Sequence, residues 1–368
     1  MKTIRLLFKL RKPVLACGAD MKGAFALAEG DTAYLVDGFG DLADPDNLER
    51  YEKAIGALQK KLKIKPKVIV CDLHPGYFST RFAERYAIHD SRYAIHEAQH
   101  HEAHIASAIV DNAVKGDVIG VAFDGTGFGS DGNIWGGEFF VGNPKRFRRA
   151  AHLEYVAMPG ADAAVREPWR MAASYLYKAY GNNFLKKLKK GGRARFIKTM
   201  IDKGINSPLT SSAGRLFDAV GSIVLEKDNA AFEAELPIEL EKIAAKDNND
   251  AYIFGKGDSH FLGQASTVIK AIMNDMKKKT DRSVIAAKFH NAVANLIVSA
   301  ASTIRKNAGI DKVVLSGGVF QNKYLSSKAV DMLEGKGFKV YRHRAIDTND
   351  SGIPIGQIAI AAARGICA

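Results

Sequence analysis

The sequence predicts an α/β protein of two interlocked lobes with a cleft between them. Its 368 residues, 47% of them hydrophobic, are enough to form two compact cores. Units of strand, turn and helix occur in both halves of the chain, and a mainly helical stretch over about residues 166–304 separates them. No low-complexity linker divides the halves. We therefore expect one duplicated architecture and not two independent domains.

The first half alternates strand and helix signals. Residues 14–35 are typical of a β-hairpin with Gly30-Asp31 as its clearest turn. Apolar residues then recur at helical spacing over residues 48–62, behind the start signal Pro45-Asp46. Residues 68–71 predict a short buried strand that ends at Asp72, and the Ala-rich residues 97–113 predict a helix.

The second half repeats this order. Residues 118–123 predict a strand that enters a glycine turn, and residues 134–141 predict its hairpin partner. Beyond the helical stretch, residues 312–315 predict a buried strand that leads into Ser316-Gly317-Gly318. A helix over about residues 322–334, a strand over 338–341 and a closing helix from about Gly352 complete the pattern.

The hydropathy pattern and the cysteines disfavour a membrane-spanning, secreted or disulfide-rich protein. No uniformly apolar run approaches the roughly 20 residues that span a bilayer, and residues 1–13 lack the apolar core of a secretory signal. Cys17, Cys71 and Cys367 are scattered, odd in number and never in a CxxC pair. A disulfide framework or a cysteine zinc site is therefore disfavoured, and we expect a reducing, cytoplasmic location without membrane partners.

The net charge of +13 has several interpretations. Basic residues concentrate in residues 186–198 and 277–279, where solvated helix faces are the simplest explanation. An electrostatic footprint for nucleic acid or for an acidic protein is the alternative, and an anionic nucleotide substrate would benefit from the same field. Few aromatic residues interleave these lysines, which disfavours a nucleic-acid partner.

Two histidines four residues apart indicate a metal site. His100 and His104 stand in the Ala-rich helical segment, so both imidazoles project from one helix face. His96 extends that face one turn earlier, and His101 points elsewhere, as a supporting or surface group. Helical histidines also cap helices or fill cores, and two imidazoles do not complete a site. Further residues must therefore supply the remaining ligands.

Two carboxylates are the best candidates for these ligands. Asp124 and Asp350 both lie at predicted strand–helix junctions beside small residues. Two histidines and two aspartates suit Fe(II), Zn(II) or Mn(II), and the pattern does not choose among them. The HExxH arrangement is absent, which disfavours zinc peptidase chemistry.

Two glycine-rich turns predict a nucleotide site. Asp124-Gly125-Thr126-Gly127 follows one predicted strand, and Gly317-Gly318 follows another and opens a helix. Backbone N–H groups at such turns bind phosphate. Each turn alone could be an ordinary hairpin or helix start. Neither matches the Walker or Rossmann pattern, so we exclude P-loop and dinucleotide folds.

Several further residues have a structural and a functional interpretation of similar weight. Arg166 and Arg170 flank a tryptophan and could hold a carboxylate, carbamate or phosphate, or could start a surface helix. The segment 211–218 with Asp218 could be no more than a capped helix. Lys22 could reach a phosphate or belong to a hairpin.

The motifs taken together resemble a known family. They are CDLHPGYFSTRFA, QHHEAHIAS, FDGTGFGSDGNIWGGEF, REPWRMA, SSAGRLFDAVG, LSGGVFQN and NDSGIPIGQ. In this order, from about Pro13 to the C-terminus, they resemble the carbamoyltransferase portion of the [NiFe]-hydrogenase maturation factor HypF, a relative of the TsaD family. The resemblance implies an actin/Hsp70/sugar-kinase-like fold of two duplicated RNase-H-like lobes. The first lobe would span residues 13–115 and the second 116–368, with a helical insertion over about 165–305.

The resemblance also implies a chemistry. The activity would be metal-dependent transfer of a carbamoyl group from carbamoyl-adenylate, which is made with ATP, to the C-terminal cysteine thiolate of a HypE-like acceptor. The metal ligands would be His100, His104, Asp124 and Asp350. Residues assigned to the nucleotide would be Asp124, Gly125, Thr126, Gly127, Asp218, Gly317, Gly318 and Asn322. Catalytic roles would fall to Arg166, Arg170 and Lys22, with the two arginines orienting the carbamoyl end.

Two departures from the family pattern matter. Full-length members carry an acylphosphatase domain, zinc fingers and a YrdC-like domain upstream, so we expect a separate YrdC-like protein or domain to supply the adenylate. Glu102 stands where many relatives have another histidine, as in the tRNA-modifying branch. The alternatives are therefore an O- or N-carbamoyltransferase with a small-molecule acceptor, or a tRNA-modifying relative, although the loops SGGVFQN and DGTGFG differ from that branch.

Overall fold

Two mixed β-sheets form the framework of the protein. The structure, a computed structural model, describes residues 1–88, 93–188, 191–257 and 262–367. The first sheet has the strand order β2-β1-β3-β4. Its strands are β1 (Lys2–Ala16), β2 (Phe25–Val36), β3 (Val68–Asp72) and β4 (Ala94–Ala98). β1 pairs with β2 antiparallel, while β3 pairs parallel with both β1 and β4.

The second sheet repeats this pairing pattern at its centre. Its order is β11-β10-β5-β6-β9-β8, with β7 on β6. The strands are β5 (Val118–Phe128), β6 (Ile134–Asn143), β7 (Arg146–His152), β8 (Val156–Ala157), β9 (Leu209–Thr210), β10 (Lys312–Ser316) and β11 (Lys339–Arg342). β5 pairs with β6 antiparallel, and β10 pairs parallel with both β5 and β11. Each sheet therefore joins an antiparallel hairpin to two parallel strands.

Helices pack on the sheets, and the segment between β8 and β10 is mainly helical. They are α1 (Pro45–Leu62), α2 (Phe78–Ile88), α3 (His100–Asp111), α4 (Ala163–Arg166), α5 (Trp169–Tyr180), α6 (Phe184–Leu188), α7 (Gly191–Lys203), α8 (Ala213–Leu225), α9 (Glu235–Ile243), α10 (Ala265–Lys277), α11 (Arg282–Ala308), α12 (Lys323–Gly335) and α13 (Ile353–Ala363). Short 3-10 turns lie at Gly181–Asn183, Gly318–Gln321 and Asp350–Gly352.

The crossing of α3 and α13 positions the functional site. α3 packs against β5 and β10 of the second sheet, α13 packs against β1 and β2 of the first, and the two helices pack on each other. Their backbones approach so closely that a Cβ at Gly356 would lie 1.8 Å from the carbonyl oxygen of Ala103. Because α3 begins at His100 and α13 follows Asp350, the helix starts bring these two residues together.

The helical insertion has the largest apolar core. Side chains of α5, α8, α10 and α11 pack there together with Phe123 and Phe139 of the second sheet. α11 is long and apolar enough to cross a membrane by length and composition, yet 72% of its most apolar window is buried inside the protein. This burial is typical of a core helix. In the basic run of the insertion, Lys189 and Lys190 lie outside the described residues.

The structure confirms most predicted elements and corrects three. Gly30-Asp31 is not a turn: Gly30 lies inside β2 opposite Leu10, at a register shift, and the connection runs over residues 17–24. The glycines after Asp124 do not end a strand, because β5 continues to Phe128 across a second register shift. His96 is not on the histidine helix, since it belongs to β4 and pairs with Val70.

Candidate metal centre and adjoining cleft

Four side chains from three elements meet at one point. His100 and His104 come from the first turns of α3, Asp124 from β5, and Asp350 from the 3-10 turn before α13. One ligand atom of each lies within 4.8 Å of all the others, and all four residues are buried. The sequence prediction had named the same four residues.

The spacing of their atoms suits a shared cation. Nε2 of His100 lies 3.6 Å from Asp124 Oδ2 and 3.7 Å from Asp350 Oδ1, and Nε2 of His104 lies 3.8 and 3.5 Å from the same oxygens. Donors that surround one ion tetrahedrally at about 2.1 Å lie about 3.4 Å from each other. Both Nε2 atoms are buried without a hydrogen-bond partner among the described residues. Buried polar atoms are rarely left unpaired, so these residues fit a divalent metal.

A fifth residue orients the first ligand. Oδ2 of Asp72, at the end of β3, lies 2.7 Å from His100 Nδ1, and both side chains are fully buried. Asp72 Oδ1 also accepts the backbone N–H of His74. If His100 donates its Nδ1 proton to Asp72, its Nε2 lone pair faces the other ligands. A carboxylate behind a metal-binding imidazole commonly fixes ring and tautomer in this way.

The imidazoles and carboxylates of this group stabilise each other's charged forms. Burial acts to lower the pKa of His100, but Asp72, Asp124 and Asp350 outweigh it and hold that pKa well above its usual value. Asp124 and Asp350 raise the pKa of His104 against burial in the same way. Burial opposes ionisation of Asp124, yet the two imidazoles keep its pKa well below the usual range. The site therefore favours positive charge among its carboxylates, which a cation would supply.

Glycines shape the space around the ligands. A Cβ at Gly127 would lie 2.5 Å from Cε1 of His101 and 2.8 Å from Cδ2 of His100. Gly127 therefore makes room for imidazoles. His101 is completely buried against Gly127 and Trp135, so its surface placement is wrong, and its supporting role stays a prediction.

The candidate metal centre opens into a cleft of about 400 Å³. Asp124 and Asp350 belong to its walls, and apolar surface comes from Phe217, Pro237 and Ile238. The other lining residues are Lys22, Gly125, Gly214, Arg215, Glu233, Ala234, Glu241, Gly318, Val319, Gln321, Asn322 and Asn349. The volume is in the range of small-molecule sites.

Two charged pairs lie at this cleft. Lys22 Nζ, from the connection between β1 and β2, is 2.6 Å from Glu233 Oε2, from the connection between α8 and α9, and both side chains are partly exposed. Arg215 Nη2 lies 2.8 Å from Asp218 Oδ2, and both are nearly completely buried. Burial raises the pKa of Asp218 to about 6, although Arg215 opposes this shift.

The predicted nucleotide residues separate into two groups. Gly125, Gly318, Asn322 and Asp124 line the cleft, whereas Thr126, Gly127, Gly317 and Asp218 are not among the described lining residues. The backbone N–H of Gly318 is already donated to Asp124 Oδ1 at 3.0 Å, so it orients this candidate metal ligand. Asn322 caps α12 through Oδ1 and lies 2.9 Å from His290 Nε2 through Nδ2.

The structure does not bring the predicted arginines to the cleft. Arg170 Nε donates to Glu167 at 2.9 Å, and its guanidinium lies over Trp169 in a separate pocket with Arg193. Arg166 is also absent from the described lining of the cleft. The role of both arginines at a carbamoyl group stays a prediction.

Sequence reasoning missed several residues of the site. From the sequence, Asp72 is only the residue at which a buried strand ends, and Arg215 is only part of a capped helix. Glu233, Pro237, Ile238 and Glu241 had no signal at all, because nothing in their spacing marks them. An aspartate at the end of a buried strand was the one usable sign, since strand ends collect at one edge of a parallel sheet.

Comparisons with known proteins agree on one family. The model of the HypF Kae1-like domain matches residues 9–111, and that of the carbamoyltransferase Kae1-like domain, second subdomain, matches residues 120–357. The chain is 33% identical to carbamoyltransferase HypF of Synechocystis over 95% of its length and 47% of that protein. It is 32% identical to a carbamoyltransferase HypF homolog of Cupriavidus necator, over 95% of this chain and 91% of that one.

A solved structure has the same fold. The crystal structure of full-length HypF in its phosphate- and nucleotide-bound form superimposes with a TM-score of 0.92 at 35% identity. The match covers 98% of this chain and 47% of that one. The chain thus has a Kae1-like α/β fold with mixed sheets, and it spans about half the length of several relatives that it matches.

Proposed function

The chain belongs to the HypF carbamoyltransferase family, and we propose that it transfers the carbamoyl group of carbamoyl-adenylate to a cysteine thiolate in hydrogenase maturation. The acceptor would be the C-terminal cysteine of a HypE-like protein. One observation carries the proposal: four buried ligands converge on one point in the wall of a nucleotide-sized cleft. A metal next to an adenylate pocket is what this reaction requires.

A bound divalent metal would supply Lewis acidity toward the phosphate and the carbamoyl oxygen. The chain's own residues would position the substrate. Phe217, Pro237 and Ile238 offer the apolar wall on which adenine would lie. Lys22 and Arg215 are the two cationic side chains among the described residues that line the cleft, and we assign the phosphate to them. Their charge would stabilise AMP as it leaves.

The transfer needs no covalent intermediate on this chain. The acceptor thiolate attacks the carbamoyl carbon, the bond from that carbon to the phosphate oxygen of AMP breaks, and AMP departs with the electron pair. Asp72 keeps the His100 lone pair directed at the metal position throughout. Gly318, through its N–H, fixes the Asp124 carboxylate in the same manner.

Three further points belong to the proposal. A YrdC-like protein or domain would supply the adenylate. The reaction would take place in the cytoplasm, in keeping with three free, buried cysteines in a fold without disulfides among its described residues. The equal pairing pattern of the two sheets supports an origin by duplication of an RNase-H-like lobe.

A transfer assay tests the proposal. Metal-loaded protein is mixed with synthetic carbamoyl-adenylate and a HypE-like acceptor, and the acceptor mass is measured. We expect one carbamoyl group per acceptor, and none on a matched acceptor whose last cysteine is replaced by serine. Carbamoylation of small alcohols or amines with an unmodified protein acceptor would instead favour the alternative O- or N-transferase.

A further inference from the structure

A second cavity lies at the carboxyl ends of β10 and β11. Its volume is about 500 Å³, and it adjoins the nucleotide cleft, with which it shares Gln321. Loop 342–348 forms one side and the first turns of α12 form the other. In open sheets with parallel strands, ligands bind in the crevice at the carboxyl ends of the strands.

Three cations surround this cavity without anionic partners. Lys323, Arg342 and Arg344 line it and are exposed, and none forms an ion pair with a carboxylate in the part of the chain that the structure describes. The one carboxylate in the wall, Asp347, is held by Lys2 at 2.8 Å. Three like charges around one space repel each other, and an anion between them would relieve that repulsion.

A hydroxyl group also faces this cavity. Ser326 lines the cavity, is 6% exposed, and its hydroxyl makes no hydrogen bond within the described residues. The hydroxyl is therefore available to donate to a ligand in the cavity. The N-terminus of α12 is not part of this argument, because Glu241 and Asn322 already accept its first N–H groups.

The floor of the cavity is held rigidly. His343 Nε2 lies 2.8 Å from Ser316 Oγ, which donates to the carbonyl oxygen of His104. Thr348 donates to Gly317, and the Gly317 N–H donates back to the Thr348 carbonyl. These hydrogen bonds hold the backbone next to Arg342 and Arg344 in place.

We propose that this cavity is a second anion site, which takes the phosphate group of a small molecule through Lys323, Arg342, Arg344 and Ser326. Guanidinium groups bind phosphate oxygens in pairs, and a hydroxyl donor completes the shell of a tetrahedral anion. The cavity has room for an esterified phosphate as well as a free one. The site is distinct from the proposed adenylate cleft.

Calorimetric titration of the metal-free full chain tests this proposal. The probes are inorganic orthophosphate and ribose 5-phosphate, which distinguish free from esterified phosphate. We expect the double variant Arg342→Gln, Arg344→Gln to lose affinity by about 100-fold, or tenfold for each guanidinium. Ser326→Ala should lose a smaller factor, of about threefold to tenfold.

One matched control and one comparison variant locate the binding. Arg195→Gln removes an exposed charge on α7 and should bind the probes as the wild type does. Lys22→Gln removes a charge from the adenylate cleft and shows whether a probe binds there instead. Thermal unfolding confirms that each variant is folded. The proposal is overturned if the double variant keeps wild-type affinity or if Arg195→Gln loses as much affinity as the double variant. It is also overturned if only Lys22→Gln loses affinity, or if neither probe binds at millimolar concentration.

Discussion

Replacement of Asp72 by asparagine tests how the metal centre is built. The substitution keeps the shape of the side chain and removes the charge behind His100. The 2.7 Å contact joins two fully buried groups, so it is not screened by solvent. A hydrogen bond to a charged group contributes about 1.5–3 kcal/mol, and loss of such a group behind a metal ligand weakens metal binding by about 10–100-fold.

The asparagine amide could also donate to His100 Nδ1. The proton would then move to Nε2 and block the lone pair that faces Asp124 and Asp350. We expect the dissociation constant for Zn(II) or Fe(II), measured by chelator competition, to rise by about 10–100-fold, which corresponds to about 1.4–2.8 kcal/mol.

A second buried aspartate provides the control. Asp20 accepts the backbone N–H groups of Phe78 and Ser79 and touches no predicted metal ligand. Asp20→Asn should lower stability and leave metal affinity within twofold of wild type. Metal affinity within twofold of wild type in Asp72→Asn would refute the orienting role of Asp72.

Three further predictions concern the frame around the site. Gly356→Ala should destabilise the protein by about 3 kcal/mol or more in urea unfolding, because its Cβ would lie 1.8 Å from a backbone oxygen of α3. Gly335→Ala is the control. It has open space around it and should be neutral or stabilise the protein by up to about 1 kcal/mol. Gly127→Ala should lower the metal content of purified protein by displacing an imidazole, and Gly125→Ala, whose nearest neighbour is 3.9 Å away, should keep it; equal metal content would contradict this. Burial lowers the pKa of His290 to about 4, so its contribution to stability is complete above pH 6.5 and is lost as the pH falls toward 4. The free energy of unfolding of wild type should therefore fall by about 3 kcal/mol more than that of His290→Gln between pH 7 and 4, and parallel pH profiles would contradict the assignment.

The sequence predicted the four residues that the fold brings together because their signals are local. His100 and His104 share a helix face by spacing alone, and Asp124 and Asp350 adjoin segments with clear strand and helix signals. Asp72 was missed because its position at the end of a buried strand was its only local signal, and its contact with His100 depends on how β3 and α3 pack. The cleft residue Ile238 was not predicted for the same reason, because its place in the cleft depends on tertiary packing.

One error in the fold had a readable signal. Residues 2–13 were not predicted as a strand, yet the apolar residues Ile4, Leu6, Phe8 and Leu10 alternate with mostly polar ones, the period of a half-buried strand. The basic residues between these apolar positions led us to test the segment only as a secretory signal. By contrast, the continuation of β5 through Gly125 and Gly127 could not be predicted, since glycines after a strand usually mark a turn.

Metal analysis combined with carbamoyl transfer tests the central claim most directly. Wild type, His104→Ala and the control His96→Ala, a histidine of β4 outside the ligand group, are purified anaerobically, and metal content and transfer to a HypE-like acceptor are measured on the same samples. The account predicts about one metal per chain and transfer in wild type and His96→Ala, and loss of both in His104→Ala. Full metal content and transfer in His104→Ala would contradict it.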